Sequence, residues 1–357
     1  MDLDNQKQIK ELDKGFVAES ISALPEQISH LIEQAQEFSS PISQEEIDSI
    51  VLNGMGGSNL GIRLINSVMK DKLTVPILIE PGYEVPNYVG EKTLYIICSY
   101  SGTTEEPIST YEEAKRRGAK IILFSSDNQK SKLKEIAKKD NIPCFLFDPK
   151  FNPSNQPRMG LGYSVFSIIV TLNKMGFFDI EESEIEDTIK LLKEENERYI
   201  PEINLNNNLA KQIASTISGK IPTYITSEFL NGNGHIMRNQ TNENGKHFAF
   251  MLDTPELNHY SMEGLAHPKK NTENLIFLIF NSELYHPRVQ KRNQLTEKII
   301  KENGIEVISH KLVGKTKLIQ AMEMLQLGTW TTYYLGILNE VDPVKIPWVD
   351  MFKTELG

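Results

Sequence analysis

The sequence contains few cysteines, no long apolar run and no excess of positive charge, and each absence narrows the class of protein. Its 357 residues include only two cysteines, Cys98 and Cys144, and both lie in apolar stretches. Two isolated thiols are typical of a reducing compartment rather than of a disulfide-stabilised fold, so we expect a cytoplasmic protein. The separated cysteines and scattered histidines also lack the spacing of a metal site, and we expect none.

The apolar residues are too dispersed for a membrane protein. The longest apolar stretch, around residues 164–172, falls far short of the ~20 residues that cross a bilayer. The polar N-terminus has no secretory h-region. A formal net charge of −10 disfavours generic binding to nucleic acid or anionic membranes. These features predict a soluble globular protein, which can still bind a phosphate through a local cluster of backbone N–H groups.

Short β-branched apolar runs alternate with helical stretches along most of the chain. Continuous apolar runs indicate strands buried on both faces, and the helices between them serve as crossovers. We therefore predict an α/β fold of two flavodoxin-like subdomains, each a parallel sheet flanked by helices. The predicted strands are Ile47–Leu52, Val75–Glu80, Leu94–Ser99, Lys120–Ser125, Pro143–Phe147, Ile221–Ser227, Leu275–Phe280 and Ile305–His310. The predicted helices are Asn59–Met69, Glu105–Arg117, Lys130–Lys138, Gly162–Met175, Asn231–Glu243, Arg288–Lys301 and Ile319–Leu338.

Changes in composition divide the chain into five predicted regions. These are a helical lead-in (1–37), a first subdomain (38–180), an acidic helical linker (181–208), a second subdomain (209–340) and a C-terminal tail (341–357).

Two loops follow buried strands and have the composition of an anion site. The first, 53–61, contains Gly56, Gly57 and Ser58 just before a predicted helix, where glycines allow backbone N–H groups to face an anion. The second, 98–106, supplies the hydroxyls of Ser99, Ser101 and Thr104. A single Ser/Thr-rich helix start is usually structural. Because both loops belong to one predicted sheet, together they indicate a phosphate site.

The first loop also permits other interpretations. It lacks the Gly-Lys-Ser/Thr ending of a P-loop. A dinucleotide fingerprint needs glycine where Asn59 stands, although Glu80 imitates the acid that binds ribose. NAD(P) binding and a glycine turn that binds nothing therefore remain alternatives.

The segments 54–58 and 99–106 resemble the two signature loops of SIS (sugar isomerase) domains. Within the superfamily of SIS proteins, the chain resembles the bifunctional phosphoglucose/phosphomannose isomerases. Further similarity lies in 157–163 (PRMGLGY), 240–246 (QTNENGK), 255–259 (PELNH) and 342–353 (DPVKIPWVDMFK). The resemblance implies aldose–ketose isomerisation of hexose 6-phosphates without a metal or an organic cofactor. The family often has a threonine in the tail that is associated with accepting both epimers, and residues 343–347 contain none. Glucose 6-phosphate and fructose 6-phosphate are therefore the expected substrates, with mannose 6-phosphate in question.

The resemblance also implies a role for each candidate residue. Glu243 is the expected base for proton transfer through a cis-enediol, and Arg158 the fixed positive charge beside the enediolate. His259 is expected to open the sugar ring from the partner subunit of a homodimer, assisted by Lys353. His247, His267 and His310 are other histidines that the sequence offers.

Two further functions remain open from the sequence. SIS domains also serve as sugar-phosphate sensors without turnover, and an isomerase of this type could act on another sugar, such as an amino or pentose phosphate. A coupled activity assay and a substrate panel distinguish these from the hexose-phosphate isomerase.

Overall fold

The computed structural model describes all 357 residues, and the chain divides into two compact units. The first unit is Ala23–Lys190, and the second combines Met1–Ser22 with Leu191–Gly357. Each unit contains one parallel sheet with helices around it. The predicted α/β fold class is therefore confirmed. None of the helices combines the length and the apolar character that a bilayer crossing requires.

This division differs from the predicted domain limits at the N-terminal side of the first unit. The lead-in consists of three helices, α1 (Gln6–Leu12), α2 (Val17–Ser22) and α3 (Leu24–Ala35). The helices α1 and α2 belong to the second unit, where Tyr333 donates to Asp13 at 3.2 Å, whereas α3 belongs to the first unit. The other boundary between the units falls inside the acidic helix Glu182–Tyr199, within the predicted linker 181–208.

The first unit contains a five-stranded parallel sheet with the order β2-β1-β3-β4-β5. Its strands are β1 (Ser49–Gly54), β2 (Ile77–Ile79), β3 (Thr93–Cys98), β4 (Lys120–Ser126) and β5 (Cys144–Phe147). Its helices after α3 are α4 (Gly56–Val68), α5 (Glu105–Ser109), α6 (Tyr111–Arg116), α7 (Lys132–Asp140), α8 (Leu161–Lys174) and the start of α9 (Glu182–Tyr199). All six residues of β3 are buried, as expected for a strand covered on both faces.

The register of this sheet positions the two glycine- and serine-rich loops. β1 and β3 are direct neighbours, and Gly54 lies opposite Cys98. Both loops therefore leave the sheet side by side at its carboxyl edge, which is where open α/β sheets bind ligands.

The predicted helix Glu105–Arg117 is interrupted and forms α5 and α6. Pro107 has no N–H, and its carbonyl oxygen accepts from the Thr110 hydroxyl at 2.9 Å. Such side-chain bonds compete with the helical ladder, so the helix breaks at Thr110.

The second unit contains a four-stranded parallel sheet with the order β7-β6-β8-β9. Its strands are β6 (Ile221–Ser227), β7 (Phe250–Thr254), β8 (Leu275–Asn281) and β9 (Glu306–Lys311). Its helices after α9 are α10 (Leu209–Ile217), α11 (Asn231–Glu243), α12 (Asn271–Asn274), α13 (Pro287–Glu302), α14 (Lys317–Leu338) and α15 (Pro347–Leu356). The predicted strands do not include β7, although it begins within the continuous apolar run of residues 248–252 (FAFML).

Helix α14 is the central element of the second unit. Nearly all of its residues are buried, and it packs against α10 and α11. A helix that is buried on all sides is typical of a protein core. Through its contacts with α11, it fixes the end of the helix that carries Glu243.

Candidate active site

The first loop turns from β1 into α4 around two adjacent glycines. Gly56 has a φ of +50°, a left-handed conformation that favours glycine. Gly57 lies so close to another segment that a Cβ there would be 2.7 Å from Pro157 Cβ. Ser58 is buried, and its hydroxyl accepts from the backbone N–H of Tyr100 at 2.8 Å. This hydrogen bond joins the first loop directly to the second.

The second loop concentrates hydroxyl groups within a few ångströms of one another. The Oγ of buried Ser99 lies 2.7 Å from Thr104 Oγ1 and 3.5 Å from Ser101 Oγ. Ser101 and Thr103 are exposed, and their hydroxyls are 2.9 Å apart. Gly102 has a φ of +68°, which lets the chain turn back between these residues. The loop therefore presents a compact set of donors that can rotate toward a bound anion.

A third segment, residues 152–160, closes one side of these loops. Asn152 donates to the Tyr100 hydroxyl at 2.8 Å, and a Cβ on Gly160 would lie 2.7 Å from the Tyr100 ring. Burial raises the pKa of Tyr100 above its ordinary value of 10.0, so its hydroxyl stays protonated. Tyr100 thus links all three segments.

Arg158 lies in this third segment and is only 2% exposed. Its Nη1 donates to Gln156 Oε1 at 2.8 Å, and its backbone N–H is adjacent to Gly57. An arginine keeps its charge when buried, so the segment whose backbone lies against Gly57 carries a permanent positive charge. Gly56, Gly57, Ser58, Ser99, Ser101, Thr104 and Arg158 are therefore brought together within the first unit.

Glu243 is the last residue of α11 in the second unit and is half-buried. The residues that follow it are tightly held: Asn244 is buried and donates to Thr332 Oγ1 on α14 at 3.3 Å. A Cβ on Gly336 would lie 2.5 Å from the Asn244 carbonyl oxygen. The predicted position of Glu243 at the end of this helix is confirmed, and α14 fixes it there.

His259 and Lys353 are also in the second unit, and both are exposed. His259 ends a short 3-10 helix, Glu256–His259, that follows β7. Lys353 belongs to α15, which has no buried residue. His247 instead contacts the Lys220 carbonyl oxygen and lies 3.3 Å from Asn339, so it has a structural role.

His310, Cys98 and Cys144 are titratable groups whose pKa values are shifted by burial. His310 lies on β9, and burial lowers the pKa of its imidazole. Burial raises the pKa of the Cys98 thiol, and it raises that of Cys144 to about 12. Both cysteines are free. No group of three or more histidine, cysteine or acidic side chains is placed to hold a metal ion.

Tyr100 and Asn152 are part of this arrangement although motif analysis did not single them out. Tyr100 lies within the loop 98–106 and Asn152 more than 40 positions later, and the sequence assigns neither a role. Their role depends on contacts across the loops, which only the folded chain defines.

Comparison by sequence with known proteins points to one family. Residues 206–356 match the family model described as the bacterial phospho-glucose isomerase C-terminal SIS domain. A bifunctional phosphoglucose/phosphomannose isomerase of Caldicellulosiruptor bescii is 34% identical over 344 residues, covering 95% of this chain and 98% of that protein. A protein with the same description from Aquifex aeolicus is 29% identical and covers 86% of this chain and 90% of that protein.

A solved structure has the same fold over nearly the whole chain. The hypothetical protein TT0462 of Thermus thermophilus matches with a TM-score of 0.71 and 16% identity, covering 99% of this chain and 92% of that one. At this identity the similarity concerns the fold alone.

Proposed function

This chain belongs to the family of bifunctional phosphoglucose/phosphomannose isomerases, and from that premise we propose that it interconverts glucose 6-phosphate and fructose 6-phosphate. The observation that best supports this reaction is the hydroxyl-rich loop pair joined by the hydrogen bond from Tyr100 to Ser58. A dianionic phosphate needs several converging donors, and these loops provide them without a metal. Mannose 6-phosphate should be tested as a further substrate, together with glucose 6-phosphate and fructose 6-phosphate.

The phosphate would be held by Ser99, Ser101 and Thr104. Their hydroxyls already lie in one cluster, so binding requires rotation of O–H groups rather than movement of the backbone. The sugar chain would lie along Gly56, Gly57 and Ser58. Arg158 would stabilise the enediolate oxygens, because a guanidinium remains charged at any pH of interest.

Glu243 would act as the base that transfers the proton. In the open-chain aldose it removes the proton from C2, the C1 oxygen gains a proton as the O2 hydroxyl loses one, and the proton on Glu243 returns to C1. The intermediate is a cis-enediol, so one carboxylate on one face completes both transfers. Since C–H bonds are broken and formed only at C1 and C2, no cofactor is required.

Ring opening comes before this step, and we assign it to His259 with help from Lys353. An imidazole exchanges protons near neutral pH, as movement of a proton between the ring oxygen and the C1 hydroxyl requires. His259 is exposed in the single chain, which favours its donation to a partner subunit in a homodimer. A cytoplasmic enzyme of glycolysis and gluconeogenesis is the setting we propose, consistent with two free thiols.

A chelator-treated assay with glucose, mannose and fructose 6-phosphates tests the reaction. We expect turnover between the glucose and fructose forms to persist in the chelator. Tight binding of these sugars without turnover would instead indicate a sugar-phosphate sensor, and turnover of another sugar phosphate alone would change the substrate assignment.

Glu243→Gln is the matched test of the base. The amide has the same shape but cannot accept the proton, so we expect kcat to fall by at least about 10³-fold while sugar-phosphate binding changes little. Isothermal titration and the coupled assay measure the two quantities separately. Glu263→Gln, on an exposed turn of the same unit, is the control. Wild-type turnover in the Glu243→Gln variant would exclude the mechanism.

A further inference from the structure

One side chain of helix α3 holds the loop that carries Arg158. Gln27 is fully buried and belongs to the same unit as this loop. Its Nε2 donates to the carbonyl oxygens of Phe151 and Met159, at 3.1 and 3.0 Å. Its Oε1 accepts from the backbone N–H of Gly162 at 3.1 Å. A single amide therefore binds backbone groups on both sides of Arg158 in the sequence.

These three partners fix the orientation of the Gln27 amide. A side-chain amide has two N–H donors on its nitrogen and an acceptor on its oxygen. The two carbonyl partners require the nitrogen and the N–H partner requires the oxygen, so a flipped amide would lose all three hydrogen bonds. Gly162 is the second residue of α8, where the helix itself offers its N–H no partner. Gln27 therefore also caps α8, since the N-cap residue Gly160 has no side chain.

The backbone of the same loop lies against the first loop of the candidate site. Arg158 is the middle residue of a short 3-10 helix, Pro157–Met159. On one side, its backbone nitrogen would be 3.0 Å from a Cβ on Gly57. On the other side, the next residue, Met159, accepts the hydrogen bond from Gln27. The position of the Arg158 backbone relative to Gly57 therefore depends on the amide of Gln27.

A second glutamine on α3 makes similar contacts farther from Arg158. Gln34 follows Gln27 by seven residues, about two helical turns, so both lie on one face of the helix. Its Oε1 accepts from the backbone N–H of Asp148 at 2.6 Å, and its Nε2 donates to the Asp148 carbonyl oxygen at 3.3 Å. Gln34 thus has the same chemistry and binds the chain just before the loop, which makes it a matched control.

We propose that Gln27 is a positioning residue for Arg158, and that its amide holds the loop so that the guanidinium stays beside the enediolate oxygens. This inference rests on the proposed function, in which Arg158 stabilises the enediolate. A displacement of about 1 Å caused by a remote substitution can cost up to about 10²-fold in rate. Because the charge develops only during the reaction, loss of this positioning should lower kcat more than it raises KM.

Gln27→Met tests this role in the coupled assay. Methionine has a similar length and volume but makes none of the three hydrogen bonds. We expect kcat to fall at least about tenfold, while KM changes less than about threefold. A wild-type kcat in the folded variant would overturn the proposal.

Gln34→Met is the matched control on the same helix. It removes amide hydrogen bonds to the backbone at Asp148, so we expect kcat within about twofold of the wild type. Urea denaturation of both variants measures how far each substitution destabilises the chain. Equal losses of kcat in the two variants would indicate a general structural role of α3, and would also overturn the assignment to Gln27.

Binding of two sugar phosphates separates this inference from the reaction. Arabinonohydroxamate 5-phosphate is a planar analogue of the enediolate, whereas glucitol 6-phosphate is an open-chain alcohol without that planar group. By isothermal titration, Gln27→Met should weaken the hydroxamate at least about tenfold and the glucitol ester less than about twofold. In the Arg158→Met background, Gln27→Met should change the hydroxamate affinity less than about twofold, because no guanidinium remains to be positioned.

The combined results distinguish the two hypotheses. A wild type that binds both compounds without turnover refutes the reaction, and the expected binding pattern would then still retain the role of Gln27. Unchanged hydroxamate affinity in Gln27→Met refutes that role whether or not the wild type turns over. Independent losses in the Gln27→Met and Arg158→Met variants, which multiply in the double variant, would show that Gln27 does not act through Arg158.

Gln27→Glu keeps the inference testable if Gln27→Met does not fold. The neutral carboxyl group can donate to one loop carbonyl oxygen and accept from the Gly162 N–H. Once ionised, it has no donor and faces two carbonyl oxygens in a buried place. The ratio of its kcat to that of the wild type should therefore be low near about pH 9 and recover toward about pH 6. A ratio near one at the higher pH, or no recovery at the lower pH, would overturn the proposal.

Discussion

Single glycines determine how closely the loops of the candidate site approach each other. Gly57 faces Pro157 and the backbone nitrogen of Arg158, with 2.7 and 3.0 Å available to a Cβ. The composition of the loop predicts a tight turn, but the identity of the segment that lies against it depends on the fold. Gly57 therefore controls the distance between the glycine loop and the buried arginine.

Gly57→Ala should displace the segment that carries Arg158. The added methyl meets backbone atoms that cannot rotate away, so we expect a loss of about 1–3 kcal/mol in unfolding free energy and a lower kcat. Urea denaturation and the coupled assay measure both effects. At Gly90 a Cβ meets nothing within 4 Å, so Gly90→Ala serves as the control. An active, equally stable Gly57→Ala variant would contradict the close approach.

Helix α15 contains large apolar side chains that are exposed to solvent, with Trp348 at 77% and Phe352 at 63%. The polar composition of the tail did not predict this helix, although Pro347 is favoured at a first helical turn. Lys353 lies on α15, so the role proposed for this lysine depends on the helix as a whole.

Removal of residues 347–357 should lower the activity without changing the stability of the chain. Because α15 buries no residue, we expect thermal unfolding of the truncated chain to match that of the full chain, while kcat falls through loss of Lys353. The full-length variant Lys353→Ala is the matched control and should lose as much activity as the truncation. A truncated chain that retains full turnover would remove Lys353 from the mechanism.

At the scale of the whole molecule, the N-terminal segment is tied to residues about two hundred positions away. Lys211 is fully buried, and its ammonium group lies 3.0 Å from Asp4 Oδ1 and 2.9 Å from the Pro201 carbonyl oxygen. The Leu205 N–H also donates to Asp4, at 2.8 Å. These contacts explain why residues 1–22 belong to the second unit rather than to a separate lead-in.

Asp4→Asn should destabilise the second unit, because it leaves a buried cation without its counter-ion. Asp4 is itself 41% exposed, so we expect about 1–3 kcal/mol, less than the ~3–5 kcal/mol typical of a fully buried pair. Chemical denaturation measures the difference. Glu11→Gln removes an exposed i,i+4 partner of Lys7 and should change stability by less than about 0.5 kcal/mol. Equal effects of the two substitutions would show that the Asp4–Lys211 pair contributes no more to stability than the exposed Lys7–Glu11 pair.

Much of the fold is predictable from the sequence because its signals are local. The buried strands of both sheets appear as continuous apolar runs, and the bounds of β6 and α11 agree with the prediction residue for residue. The short apolar run at 248–252 does not by itself distinguish a strand from a helical segment, so β7 is defined only by its pairing with β6. The break at Thr110 likewise depends on one side-chain bond that propensity does not encode.

The sequence by itself determined the fold class, the family and the two loops that would bind phosphate, because these depend on residue order within short segments. It determined Glu243 only through resemblance, since an isolated glutamate at a helix end has no distinguishing pattern. The tertiary structure decided which residues are in contact, such as Tyr100 between three loop segments and the backbone of Arg158 against Gly57. Such contacts join residues far apart in the chain, so only the folded molecule brings their charges, hydroxyls and free backbone groups into range of one another.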